Sequence, residues 1–435
     1  MSDAHIIVFE DEWYQNFYPI SASRPVYHVL AGAKTAIERI SHHFKGFEIS
    51  CLCRPFLTDL YGNTDEKNSL ERIAVKDSGK IILINGACVI RQKDRQWATE
   101  LKHTEESVAW VDGDRLVAAV LPAKMLTGLA NEIKSLYEAG HTQKIVDSSG
   151  VIKDSKALMF SYIWNPMLEN PEMIESDFKE YYSDACKDDS IGDSFVYGRD
   201  KIYTGTGVSA DANSVIDARK GPVILEDGVE IQPFCRVEGP AFIGKDAKLV
   251  GGKVVSGCSI GQGCRIGGEV EQSIFIANTN KYHDGFIGHA YIGEWVNLGA
   301  LTTNSDLKNN YSEIDVWQNG KRVMTGSIKI GCFIGDHTKI GIGMTINTGC
   351  NIGFSINLFG GSFIMGKEIP NFVWGDDNLR LRGFLSHAVE TAKTVMERRG
   401  HVFDQRHEML FEYLHDRSKE AIAKWTRGGR KKSKK

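Results

Sequence analysis

No run of apolar residues in this chain approaches the length needed to span a bilayer, so no membrane span is expected. Charge of one sign is lacking as well: 52 Lys+Arg stand against 56 Asp+Glu, a net charge of −4. That balance excludes a general nucleic-acid binder, although the last nine residues are strongly basic. The N-terminus has neither the Lys/Arg start nor the long apolar core of a signal peptide, which makes the cytoplasm the expected location. Nine cysteines occur without a zinc-like pair of CxxC knuckles, and Cys51 and Cys53 are too closely spaced to form one; reduced, mostly buried thiols are expected. What is abundant is glycine, 44 residues in all and unevenly placed. At 435 residues, 42% apolar and 25% charged, the composition is ordinary for a globular chain of two or three domains.

Up to about residue 200 the chain alternates apolar runs with helix-like stretches. His5–Phe9, Ile81–Ile84 and Leu116–Leu121 read as buried strands, and Ala31–Ile40, Ala123–Ala139 and Pro171–Tyr182 as helices. Such alternation predicts an α/β domain over residues 1–200 with a largely parallel sheet.

Near residue 200 helical periodicity ends. From Ile328 an apolar residue recurs at every sixth position: Ile334, Ile340, Ile346, Ile352, Leu358 and Ile364. Gly often follows it, as at Gly335, Gly341 and Gly353, and compact residues such as Cys332, Thr338 and Cys350 recur in between. A period of six is neither 3.6 nor 2. It describes a chain that turns a corner after each short strand, with Gly relieving the steric cost of the corners and one side chain per face pointing inward. This is the hexapeptide-repeat pattern of a left-handed parallel β-helix, three hexads to a coil. Weaker copies at Ile243, Ile260, Ile266, Ile287, Ile292 and Leu298 extend the solenoid to about Val215–Ile369, inside a domain over 201–372.

One stretch, Thr302–Thr325, breaks the beat. Within it Glu313–Trp317 and Lys321–Met324 flank Asn319-Gly320, a tight-hairpin signal, so an arm should leave the scaffold and return. After Pro370 helical periodicity resumes. One apolar face is Phe384, Leu385, Ala388, Ala392, Val395 and Met396; a second helix over about Asp404–Lys424 clusters Met409, Leu410, Tyr413 and Leu414. These helices, in a region over 373–435, are expected to cap the open end of the solenoid, and Arg427–Lys435 to be a disordered tail.

The stretch from Asn280 to Tyr311 carries the chemistry. It resembles the acetyltransferase half of the bifunctional N-acetylglucosamine-1-phosphate uridylyltransferase/glucosamine-1-phosphate acetyltransferase family, which makes UDP-N-acetylglucosamine. His283 falls on that family's catalytic histidine, and Asn297, Gly299, Ala300 and Thr302 on the motif that follows. A divergent branch of sugar-nucleotidyltransferase-like chains is closer still, through the strings at His283–Gly288, Gly293–Ala300 and Ser305–Tyr311. The resemblance implies a homotrimer with acetyl-CoA in the groove between neighbouring solenoids and a sugar phosphate as acceptor. His283 would be the general base, since acyl transfer to a sugar amine needs that amine deprotonated and imidazole titrates near working pH. Lys281 would attract the sugar phosphate, Asn297 and Thr302 position substrate, Ala300 lie beside the acyl donor, and Asp306, Lys308 and Asn309 reach a neighbouring subunit. A surface histidine with Asp284 as its local partner is the plain alternative for His283, and His289 is expected merely to decorate the outer wall.

The match is not complete. Phe286 stands where the family has an aromatic hydroxyl, Asp306 where it has asparagine, and Glu271 where it has a basic phosphate ligand. The N-terminal half resembles the divergent branch through Phe9-Glu10-Asp11, Tyr18–Pro25 and Gly32, but the Gly-rich triphosphate loop is absent. Arg24 either replaces part of that loop's charge or anchors a turn before Pro25. Asn85-Gly86-Ala87 follows the central strand where the family has a Gly-Asp pair that binds magnesium, and Asn165 replaces the aspartate of a Trp-Asp pair. Arg24, Asn85 and Gly86 are therefore candidate nucleotide or phosphate ligands, with Glu10, Asp11 or Asn85 as the remaining oxygen donors for the Mg2+ that nucleotidyl transfer would use. Three readings follow: an acyltransferase of sugar-nucleotide metabolism, a nucleotidyltransferase whose β-helix only trimerises, and a non-catalytic sugar-nucleotide-binding scaffold.

Overall fold

The computed structural model describes residues 4–61, 79–183, 191–361, 363–364, 366–376 and 379–432. Contacts divide the chain into two compact units. The first holds residues 1–17, 24–29 and 34–162; the second holds 18–23, 30–33 and 163–435. This division falls elsewhere than the expected cuts at 200 and 372, because residues 163–183 and the C-terminal helices pack with the solenoid.

The first unit is built on six strands: β1 (Ala4–Phe9), β2 (Glu48–Leu52), β3 (Lys80–Asn85), β4 (Val108–Asp112), β5 (Arg115–Pro122) and β6 (Val151–Asp154). Their order is β2-β1-β3-β5-β4-β6. The pairs β2–β1, β1–β3 and β4–β6 are parallel, whereas β5 runs antiparallel to both β3 and β4. The sheet is thus mixed rather than largely parallel. Asp112 and Arg115 face each other across a two-residue turn, and so short a connection can only reverse the strand. Successive side chains of β1 enter opposite layers, as strand geometry requires. Ile6 and Val8 join a cluster with Ile40, Ala98 and Leu101, while Ile7 and Phe9 join one with Ile133, Leu136 and Ile145. Those partners come from helices α1 (Ala36–His43) and α2 (Arg95–His103) on one side and, on the other, from α3 (Leu126–Lys134), α4 (His141–Asp147) and, for Leu136, the link between them. Thr35 and Glu38 form a capping box at the start of α1, which therefore begins later than the expected Ala31.

The second unit is a parallel β-helix of the three-faced, left-handed hexapeptide class. Its most regular face stacks Ile202–Thr204, Val223–Leu225, Ala241–Ile243, Cys258–Ile260, Ile274–Phe275, Tyr291–Ile292, Cys332–Ile334, Cys350–Ile352 and Glu368–Ile369, every pair parallel. Cys332 faces Cys350, eighteen residues on, and on the other faces Lys339 meets Asn357 and Thr345 meets Phe363 at the same spacing. Three hexads make one coil. Ile334, Ile346, Ile352, Leu358, Ile364 and Ile369 are fully buried and Ile340 nearly so, each contributing about 1.5–3 kcal/mol by leaving water.

Several details depart from expectation. The solenoid begins earlier, with Phe195–Tyr197 and Ile202–Thr204 already paired to the next coil. Ile328, the first beat of the six, is 47% exposed and precedes the stack. The glycines after the inward residues do not serve corners. Gly335 and Gly353 have ordinary φ; a Cβ there would lie 2.8 Å from the Gly353 backbone and 2.4 Å from the Asn371 side chain of the next coil. They let coils approach, and the left-handed corners are taken instead by Trp295 (φ 59°), His337 (φ 61°), Ser355 (φ 49°) and Phe372 (φ 57°).

The hairpin forms as expected, with Asp315–Gln318 antiparallel to Lys321–Met324 and positive φ at both Asn319 and Gly320. It does not swing clear of its own coil. Ile314 and Val316 are fully buried, and Asn351 Nδ2 donates to the Trp317 carbonyl at 2.6 Å and to Gln318 Oε1 at 3.0 Å. Helices α5 (Asn170–Asp177), α6 (Leu385–Glu397) and α7 (Gln405–Lys432) complete the unit. The last coil is closed first by a strand, Arg380–Arg382, antiparallel to Val373–Gly375, and α7 packs on that strand. Phe411 of α7 sits among His337, Phe354 and Phe372, side chains of successive coils along one corner. Phe384 (58%) and Met409 (51%) of the expected apolar faces are exposed instead. The helix runs to Lys432, so the tail is ordered further than expected, and 433–435 lie outside the described residues.

Candidate active site

Coil register puts a polar column on one outer face. The residue just before each inward side chain points outward, so Arg265, Asn280, Asn297 and Lys339 stand opposite one another on successive coils. Beside this column His283, Tyr282, Asn297, Leu298, Gly299 and Ala300 line a cleft of about 350 Å³, with Arg265, Asn280 and Ile342 completing it. Of the residues singled out in the sequence, the fold brings together His283, Asn297 and Ala300. The His283 ring meets Tyr282 edge-on at 5.3 Å and is exposed. Neither of its ring nitrogens bonds a described residue, so Asp284 is not its partner.

The other expected ligands are engaged elsewhere. Lys281 occupies the inward slot, in register with Ile266, and is 1% exposed. Its ammonium donates to the carbonyls of Gly267 (2.7 Å) and His283 (3.0 Å), and burial lowers its pKa to about 8. It braces the His283 loop from inside and does not line the cleft. Thr302 is 1% exposed and donates to the Gly341 carbonyl. Lys308 holds the base of the hairpin through the Glu313 carbonyl and Asp315, and Asn309 is exposed outside the cleft. Asp306 accepts a hydrogen bond from Nδ1 of the buried His289 at 2.7 Å. Burial pushes the Asp306 carboxyl up, but the hydrogen bond from His289, with the fields of that imidazole and of Lys329, holds it below its usual range. His289 is therefore buried and paired rather than a decoration of the outer wall. Glu271, at the position of the family's basic ligand, pairs with Lys329 at 3.0 Å.

Sequence reasoning missed Arg265 and Tyr282. Arg265 was legible in principle, since it precedes Ile266 as Asn297 precedes Leu298.

In the first unit Asn85 is 1% exposed, donating from Nδ2 to Asp11 (2.7 Å) and the Leu116 carbonyl (2.9 Å) while Oδ1 accepts from Ala87 N–H. Gly86 lies under Tyr27, where a Cβ would come within 2.8 Å of that side chain. Glu10 is held by Arg54 through two contacts of 3.1 Å and by Val26 N–H, and Asp11 by Arg115 at 2.5 and 3.1 Å. Arg24 is 4% exposed, and its carbonyl accepts from Arg54 at 3.0 Å. With both carboxylates closed by guanidinium groups, the residues here do not fit a magnesium site. No cluster of three or more His, Cys, Asp or Glu suited to a metal occurs among the described residues. Trp164 is buried in the second unit.

A mixed α/β unit followed by a hexapeptide β-helix with a histidine cleft on its wall defines the architectural class. Within it, residues 6–184 match the family model described as sugar nucleotidyl transferase. The chain is 29% identical over 211 residues, 46% of its length and 50% of the relative's, to the bifunctional sugar-1-phosphate nucleotidylyltransferase/acetyltransferase of Sulfurisphaera tokodaii. It is 30% identical over 216 residues, 46% and 50% of the two chains, to the bifunctional protein GlmU of Methanocaldococcus jannaschii. For that of Cupriavidus pinatubonensis the figures are 28% over 163 residues, 36% and 32%. The matched stretches span half or less of these relatives. Together they support a place in a divergent branch of this family. Among solved structures, an Arabidopsis UDP-N-acetylglucosamine acyltransferase is found at 12% identity and a TM-score of 0.26, over 56% of this chain and 96% of that one. The fold rests on the strand pairings. Among the described residues no helix is long and apolar enough to cross a membrane.

Proposed function

We propose that the chain acts in sugar-nucleotide biosynthesis as an acyltransferase, moving an acetyl group from acetyl-CoA to the amine of an amino-sugar phosphate. The observation that carries this is the convergence of His283, Asn297 and Ala300 on one cleft. In the reaction the amine nitrogen attacks the thioester carbonyl, the C–S bond breaks, and the amine proton passes through the imidazole to the departing thiolate. Asn297 offers both a donor and an acceptor to the acceptor sugar. The free ring nitrogens of His283 leave the base without an orienting partner in a single chain, which favours a homotrimer whose neighbour completes the site. His283→Ala should lower acyl-transfer turnover about 10²–10⁴-fold with an unchanged melting temperature. Normal turnover in that variant sinks the assignment.

The family match over residues 6–184 favours nucleotide-sugar binding as the task of the first unit. Because Glu10 and Asp11 are closed by Arg54 and Arg115, we read that unit as binding a nucleotide sugar without making one. Magnesium-dependent pyrophosphate release from a nucleoside triphosphate and a sugar 1-phosphate would overturn this and restore the nucleotidyltransferase reading.

A further inference from the structure

The polar column continues from the His283 cleft into a second groove of about 360 Å³, between the solenoid wall and α6. Arg265, Asn280 and Asn297 line both. The second groove adds Lys339 from the next coil and Arg398 and Arg399 from the end of α6, and none of the residues lining it is acidic. Arg265, Lys339, Arg398 and Arg399 make no ion pair with a carboxylate among the described residues. Arg265 Nε is shielded from solvent with no hydrogen-bond partner. Arg399 donates to the Gly263 carbonyl (2.8 Å) and to Asn280 Oδ1 (2.7 Å). Burial first, then the fields of Arg265 and Arg398, pull the Arg399 pKa below its usual value. Like charges gathered this way oppose folding unless something negative joins them. A guanidinium without a carboxylate partner suits contact with phosphate oxygens.

We propose that this groove is a diphosphate-binding site, taking the diphosphate of a nucleotide-linked ligand whose other end lies in the His283 cleft. One phosphate monoester would leave most of the four cations unanswered, whereas a diphosphate answers them from within a groove of this size. Only the identity of the ligand's reacting end rests on the acyltransferase reading; the diphosphate site rests on the cations. Two sources share the chemistry, coenzyme A as the acyl donor and a UDP-linked sugar.

The test is titration calorimetry on the full chain with inorganic pyrophosphate, then coenzyme A, then UDP-N-acetylglucosamine. Pyrophosphate should bind, and Arg265→Gln and Arg398→Gln should each weaken that component about tenfold or more. Binding to the first unit is the component both variants leave untouched. Arg265→Gln should melt no lower than the parent, since the lost Nε has no protein partner, so weaker binding cannot be put down to unfolding. If coenzyme A weakens in the variants, the groove holds the donor; if the UDP-sugar weakens, it holds a nucleotide sugar. Equal affinities in parent and variants for all three probes, or no pyrophosphate binding at millimolar concentration, overturn the proposal. His283→Ala separates the two readings. Its pyrophosphate affinity should match the parent's, and unimpaired turnover there removes the acyltransferase assignment while leaving the groove standing.

Discussion

The two units handle charge in opposite ways. In the first, Glu10 meets Arg54 and Asp11 meets Arg115, all four side chains under 8% exposed, with the remaining oxygens taken by backbone and Asn85. On the solenoid wall, Arg265, Arg398, Arg399 and Lys339 gather without a carboxylate among them. A closed pair is complete in the folded chain and asks for nothing further. An open cluster is complete only with a ligand or a partner. The comparison therefore locates binding more surely than the count of charges, which is balanced over the whole sequence.

The largest effect should come from opening a closed pair. Asp11→Asn leaves Arg115 buried beside a neutral amide and should cost about 3–5 kcal/mol in denaturant unfolding. Replacing both partners by apolar residues, Asp11→Leu with Arg115→Met, should recover most of that loss. If the double variant folds but loses nucleotide-sugar binding, the pair was not merely structural and the contrast between the units weakens.

A middle effect concerns pH. Burial holds Lys339 at about 8, below the 10.5 of an unfolded lysine. Between those values the unfolded chain binds more protons, so stability rises with pH across the window; below pH 8 the penalty is fully present. Lys339→Met should flatten the rise by up to one proton's slope relative to the parent. Parallel profiles for parent and variant would show that the ammonium is solvated after all. The smallest effect belongs to the hairpin: Gly320→Ala, at φ 70°, should cost about 1 kcal/mol and leave turnover unchanged.

The period of six made the solenoid legible, and Asn319-Gly320 the hairpin, because both are local rules of backbone geometry. The mixed sheet was less so. β2 is an edge strand whose Glu48 is exposed, β6 is exposed throughout, and neither shows the apolar run that marked β1, β3 and β5. For Lys281 residue type suggests a phosphate ligand, but phase decides: it follows Asn280 as Ile266 follows Arg265, so the beat itself sends it inward. Arg265 escaped notice where the upstream repeat is irregular, with the register slipping between Val250 and Gly252. Arg398 and Arg399 come from a helix beyond the repeat, and only tertiary packing brings them to the same wall.

The eighteen-residue coil also sets how this gene product can change length. Adding one amino acid inside a regular coil, between Ile334 and Ile340, would throw the side chains that follow out of phase, exposing isoleucines and turning lysines inward. Adding a whole extra turn would merely lengthen the tube by about 4.8 Å, the spacing of adjacent strands. Indels in this half should therefore be tolerated in multiples of a full turn, or inside the hairpin, where nothing downstream keeps count.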